Sequence, residues 1–154
     1  MLTLRALAAG VQAPRYWETG DSDTAFRYNN YLSRFHWRHM DLMDILSGFQ
    51  GRGRASLQDI ALLLGFPGKL GMHGSEVCGA YLRGELKRIR DYCETDVLNT
   101  YLVYLRFQLL RGQLNATEHA HEVARVRALL RESSAEHLQQ FGACLLYTSD
   151  AADE

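Results

Sequence analysis

The chain has 154 residues, enough for one domain, and its 47% hydrophobic and 23% charged content argues against wholesale disorder. A formal net charge of −1 neither demands nor excludes nucleic acid, and no run approaches the roughly 18–20 apolar residues of a membrane span. The opening MLTLRALAAG lacks the layout of a secretory signal, and three cysteines without paired spacing fit a reducing cytoplasm.

In chain order, residues 2–9 read as a short helix that Gly10 can stop. Pro14 is expected to keep the next stretch extended. Residues 18–30, ETGDSDTAFRYNN, are rich in turn formers and read as a loop. Met40–Leu46 alternates apolar and polar residues, as a short strand would, though MDLMDIL also suits a helix start. GRGR at 51–54 is a break. Ser56 and Asp59 stand at capping-box spacing before a helix whose apolar face is Leu57, Ile60, Ala61 and Leu64. Gly65 and Pro67 end it, and GFPGKLGMHG connects onward.

Ser75 can cap VCGAYLR, and Gly84 interrupts. Residues 85–111 carry the strongest helical pattern, with Leu86, Ile89, Cys93, Val97, Leu98, Tyr101, Leu102, Leu105 and Leu109 at helical spacing and no proline. Gly112 ends it. A last amphipathic helix is expected over about 116–140, with Val123, Val126, Leu129, Leu130 and Leu138 on one side. There is no internal repeat.

The ending CLLYTSDAADE departs from the arginine-rich pattern before it. Only two of the 17 bases are lysine, Lys69 and Lys87. The last eleven residues hold Asp150, Asp153 and Glu154 and no base; without them 15 acids face 17 bases, a balance of +2. The ending resembles the translation of a transposon-end sequencing adapter. Residues 144–154 are therefore expected to be an artefactual or disordered tail with almost no tertiary contacts, following a body of residues 1–143.

The most informative segment is RIRDYCETDVLNTYLVYLRF, residues 88–107. Tyr92 and Asp96 are four apart on a helix, so they share a face, with Cβ atoms about 5–6 Å apart. A carboxylate beside a phenol suits metal-assisted hydrolysis. The carboxylate ligates a hard cation such as Mg²⁺, and the hydroxyl hydrogen-bonds the attacking water. Asp91, Glu94, Thr95 and Asn99 add polarity to a helix otherwise destined for a core. Burying that much acid without partners costs several kcal/mol, so a metal or a solvent cleft is expected.

DYCETDVLNTYLVYLRFQLLRG resembles the third exonuclease motif of a bacterial group of predicted 3′-5′ exonucleases. That group is similar to the proofreading domain of family-B DNA polymerases and belongs to the DEDDy branch of the ribonuclease H-like superfamily. LRALAAGVQAPRYW, RHMDLMDILSGFQGRGRASLQDIALLLGFPGKLGM and GAYLRGELKRIRDYCETD agree, so the resemblance covers about residues 2–132. It implies an α/β ribonuclease H-like fold, truncated here to a mostly α-helical C-terminal part. In that family four carboxylates bind two divalent ions, Mg²⁺ or Mn²⁺. The last motif transfers to Tyr92 and Asp96 as catalytic residues, with Asp96 a metal ligand.

The first two motifs of the family would lie upstream of Met1, which is then expected to be an internal start. The resemblance implies 3′-5′ hydrolysis of phosphodiesters in the intact protein, on nucleic acid with a single-stranded or frayed 3′ end, DNA above all. Residues 1–154 alone are expected to leave the apolar face of the long helix uncovered, to fold poorly and to lack exonuclease activity.

Other residues read more plainly. Arg38, His39, Asp41 and Asp44 cluster in RHMDLMD, where the acids are expected to orient a chain connection, with Asp44 capping. His36 and His39 have ligand-like spacing but no cysteine pair for zinc. LQDIALLLGFPGK resembles the first helix of a helix-turn-helix, which supports an alternative function, a non-catalytic nucleic-acid-binding helical module. A recognition helix should follow after a 3–4-residue turn, whereas Phe66–Gly74 interposes nine residues. Lys69 is expected to be a solvated loop lysine. A purely structural helical domain is disfavoured by the acids of the 85–111 helix.

Overall fold

A computed structural model of the chain describes residues 2–150, with side chains over 3–145. The chain divides after Arg54 into two compact units. Among the described residues there is no strand, so the ribonuclease H-like sheet is not part of what they build.

The first unit holds α1 (Leu2–Ala8), α2 (Pro14–Trp17) and α3 (Leu42–Leu46). Pro14 starts a helical turn rather than holding the chain extended. Its ring presets the helical φ, and its missing N–H is one that no first turn bonds. The possible strand at 40–46 is instead α3. The Asp41 carboxylate accepts hydrogen bonds from the N–H groups of Met43 and Asp44 at 2.9 and 3.2 Å, which turns the backbone into a helix. Asp44, expected as the cap, pairs with Arg34 at 3.0 Å and with Arg54. Between α2 and α3 the chain is loop with a 3₁₀ turn at Thr24–Phe26, and Phe26 is fully buried. His36 cannot act as a ligand through Nδ1, which accepts the Asn30 N–H at 2.9 Å. Among the described residues no third ligand group joins His36 and His39.

The second unit holds α4 (Leu57–Leu63), α5 (Val77–Leu82), α6 (Leu86–Leu110), α7 (Ala116–Glu132) and α8 (Glu136–Asp150). α4 begins on the expected reciprocal box between Ser56 and Asp59. Asn115 and Glu118 form a second such box at the start of α7. α6 is the spine. α4, α5, α7 and α8 all pack on it, and α7 packs on α8. Leu102, Leu130 and Phe141, essentially solvent-free, each stabilise the unit by about 1.5–3 kcal/mol.

Two expectations change here. The helix read as 116–140 is two helices, because Ser133 adopts an extended backbone and its hydroxyl accepts the Ala135 N–H at 3.2 Å. The body also does not stop at residue 143. α8 continues through Cys144, and Leu145 is buried in the core; residues 151–154 lie outside the described residues.

The apolar face of α6 is partly covered by the chain itself. Leu102, Val103, Leu105 and Phe107 are buried, while Leu86, Cys93 and Val97 are exposed. The buried stripe toward the N-terminus is instead Thr95 and Asn99.

Candidate active site on the long helix

α6 runs 25 residues with neither glycine nor proline, so nothing interrupts its hydrogen-bond ladder between Tyr92 and Asp96. The four-residue spacing sets both side chains on one face. Tyr92 is half-buried. That burial, followed by the nearness of the negatively charged Asp96 carboxylate, pushes the phenol up to about 12. It therefore keeps its proton at neutral pH and acts as a hydrogen-bond donor, not as a base.

Asp96 Oδ1 is buried and has no hydrogen-bond partner. A carboxylate oxygen taken out of water and left unpaired is costly. A cation would satisfy it, and a hard oxygen donor suits Mg²⁺ or Mn²⁺. The donor set fits one carboxylate ligand of such an ion.

The loop after α4 passes beside this pair, and Asn99 fixes it. The fully buried Asn99 amide donates to the Gly68 carbonyl at 2.7 Å and accepts the Gly68 N–H at 3.2 Å, across 31 residues of sequence. The Gln58 carboxamide oxygen accepts the Lys69 N–H. Gly68 is in the left-handed region, at φ +67°, and a Cβ there would lie 2.7 Å from the Gln58 side chain. A side chain here would be strained by the positive φ and would displace the Gln58 carboxamide from the Lys69 N–H. Pinned in this way, the loop holds the Lys69 ammonium 5.8 Å from the Tyr92 ring centre. Gly74 approaches the phenol oxygen so closely that a Cβ would lie 3.6 Å from it. Lys69 remains a part-exposed loop lysine, as expected, with its ammonium turned toward the Tyr92 ring.

Tyr92 and the next residues of the same loop, Leu70 to Met72, also line a cleft of about 430 Å³, together with Lys87, Asp91 and His137. Asp91 lines this cleft, and Glu94 meets it through His137. His137 Nε2 sits 2.6 Å from Glu94, and Nδ1 3.7 Å from Asp91. These three are the described His, Cys, Asp and Glu side chains that gather closely enough to share an ion. Basic groups already hold both acids, however. Lys87 lies 2.6 Å from Asp91, and Arg90 lies 3.3 Å from Asp91 and 3.4 Å from Glu94. The Lys87 hydrogen bond is the main reason the Asp91 carboxyl sits below its usual range. The buried-acid cost expected from sequence is therefore met by ion pairs at Asp91 and Glu94, and it remains open at Asp96.

His137 was not legible as a member of this cleft while 116–140 read as one helix. The Ser133–Glu136 capping-box spacing carries the signal for a new helix start.

A family model described as a predicted 3'-5' exonuclease related to the exonuclease domain of PolB matches residues 1–144. Neither the curated proteins nor the solved structures gave a match.

Proposed function

The chain belongs to that family of predicted exonucleases, and we propose that Tyr92 and Asp96 are its contribution to a 3′-5′ phosphodiesterase centre acting on single-stranded or frayed DNA ends. The observation that carries this reading is the unpartnered, buried Asp96 Oδ1 beside a phenol that stays protonated. Asp96 would supply one carboxylate to a pair of divalent ions, Mg²⁺ or Mn²⁺. Such ions, when bound, neutralise phosphodiester charge and ease deprotonation of the attacking water.

Tyr92 donates its hydroxyl proton in a hydrogen bond to the oxygen of that water, so that a lone pair faces phosphorus. The water oxygen forms a bond to phosphorus as the bond to the leaving 3′ oxygen breaks; the water's proton passes to solvent, the leaving oxygen takes one from solvent, and Tyr92 keeps its own. Lys69 offers a point charge to a phosphate oxygen near the ring. One carboxylate does not hold two divalent ions. The same reading therefore makes residues 1–154 alone inactive and requires acidic ligands beyond Asp96.

The test is end-labelled oligonucleotide degradation by the intact protein with Mg²⁺ or Mn²⁺. Stepwise shortening from the 3′ end, abolished by EDTA, is expected. Endonucleolytic fragments, or shortening that persists in EDTA, would end the proposal. No helix among the described residues is long and apolar enough to cross a membrane.

A further inference from the structure

The first unit carries a second feature that the Tyr92–Asp96 centre does not use. Residues 26–40, FRYNNYLSRFHWRHM, hold five aromatic residues, three arginines and two histidines, with no acid. Four large rings here and just upstream stand in solvent: Trp17 is 56% exposed, Tyr28 83%, Phe35 65% and Trp37 56%. Clustered exposure of rings this large marks an interaction surface more often than chance.

Beneath them is a fixed base. The Arg15 and Arg38 guanidinium carbons sit 4.3 and 3.8 Å from the centre of the buried Phe26 ring. Tyr16 stacks on Tyr31 with ring centres 5.8 Å apart, and Trp17 meets Tyr16 edge-on at 5.4 Å. Asn30 and Asn29 tie down the loop backbone. Asn30 accepts the N–H groups of Leu32 and Ser33, and Asn29 accepts those of Trp37 and Arg38. The rings therefore project from an ordered loop and lose little freedom on binding.

Charge chooses the occupant. Of the five acids of this unit against seven arginines, only Asp21 stands exposed with no more than a 3.5 Å contact to the Thr19 hydroxyl; the other four are engaged locally. Glu18 accepts three backbone N–H groups, Asp23 pairs with Arg15, Asp41 caps α3 and Asp44 pairs with Arg34 and Arg54. Arg27 is exposed, and Arg38 is half-buried over Phe26 with its Nε donating to the Asn29 carbonyl; neither makes an ion pair among the described residues, so both leave positive charge unneutralised. Interleaved rings and guanidiniums match a strand that alternates flat bases with phosphates. A membrane surface would call for an amphipathic helix, and this segment is loop.

We infer that the Trp17–Arg38 loop is a stacking platform for single-stranded nucleic acid, with Trp17, Tyr28 and Phe35 taking bases and Arg27 and Arg38 meeting phosphates. This deepens the exonuclease reading and rests on it for the kind of substrate. The platform would hold the strand, while Asp96 belongs to the chemistry.

The chain reports on this surface directly, because both of its tryptophans, Trp17 and Trp37, lie in the platform. Titrating the 154-residue chain with a deoxythymidine oligomer in EDTA should quench tryptophan emission. Labelled-oligomer anisotropy should show affinity falling about 5- to 100-fold in Tyr28→Ala and in Trp17→Ala, as base stacking on single rings does elsewhere. Arg27→Ala should weaken binding and make its salt dependence shallower. Circular dichroism establishes that each variant keeps its helices. Asp96→Asn should quench like the parent chain, so a failed catalytic assignment leaves this result standing. Absent quenching, unchanged affinity in both ring variants, or quenching by anionic lipid vesicles but not by the oligomer would overturn the platform.

Discussion

Asn99 offers the sharpest test of how the loop is held against the long helix. Replacing it with leucine keeps the volume about constant and removes three hydrogen bonds: those to the Gly68 carbonyl and N–H, and that to the Thr95 carbonyl. Gly68 is itself buried, so its N–H and carbonyl lose their partner without gaining water. Each buried backbone group left unpaired costs about 1–3 kcal/mol. After partial relaxation of a glycine-rich loop, a loss of about 2–4 kcal/mol is expected, a large share of a typical 5–15 kcal/mol. In urea, followed by helical circular dichroism, this lowers the midpoint by about 1–2 M at an ordinary slope. Gln58→Ala removes one acceptor from a part-exposed N–H and should cost under about 1 kcal/mol. Limited proteolysis should cut Asn99→Leu first between Phe66 and Met72. A midpoint within about 0.3 M of the parent, with an unchanged cleavage pattern, would refute the clamp.

Other outcomes follow from the same packing. In an ultraviolet pH titration, one of the eight tyrosines should ionise near 12 and be lost from the titration in Tyr92→Phe. Because the folded phenol sits above the ordinary 10, its contribution to stability is fully present below pH 10 and is lost as pH rises toward 12. Phe141→Ala empties a fully buried site and should destabilise the second unit by about 3–5 kcal/mol in chemical denaturation. Residues 1–154 alone should leave a labelled oligonucleotide intact with Mn²⁺; 3′ shortening would require further metal ligands within the chain.

What the sequence made legible was local. The Ser56–Asp59 box and the Tyr92–Asp96 spacing depend on neighbours within one helical turn, and both appear where expected. The end of the long helix before Gly112 is equally local. The buried face of α6 was not legible. A hydrophobic period favours Leu86, Cys93 and Val97, which are exposed, over Thr95 and Asn99, which are buried. Those polar residues are inside because Asn99 meets the backbone of Gly68, 31 positions away, and Thr95 donates to the carbonyl of Tyr92 at 2.8 Å. Neither partner shows in an apolar count. The break at Ser133 was hidden for a similar reason, since the apolar period carried across it. The unpartnered oxygen of Asp96 depends on what surrounds it in space, and the motif alone gives only the residue.

The central claim is that Asp96 holds metal and Tyr92 positions water. Single-turnover exonuclease rates of the intact protein carrying Asp96→Asn or Tyr92→Phe, measured alongside Mn²⁺ binding, separate these roles. The account predicts that Asp96→Asn weakens Mn²⁺ binding and removes nearly all activity. It predicts that Tyr92→Phe binds Mn²⁺ as the parent does while the chemical step slows about 10²- to 10⁴-fold. Small, equal losses from both substitutions, with Mn²⁺ binding unchanged in each, would contradict it.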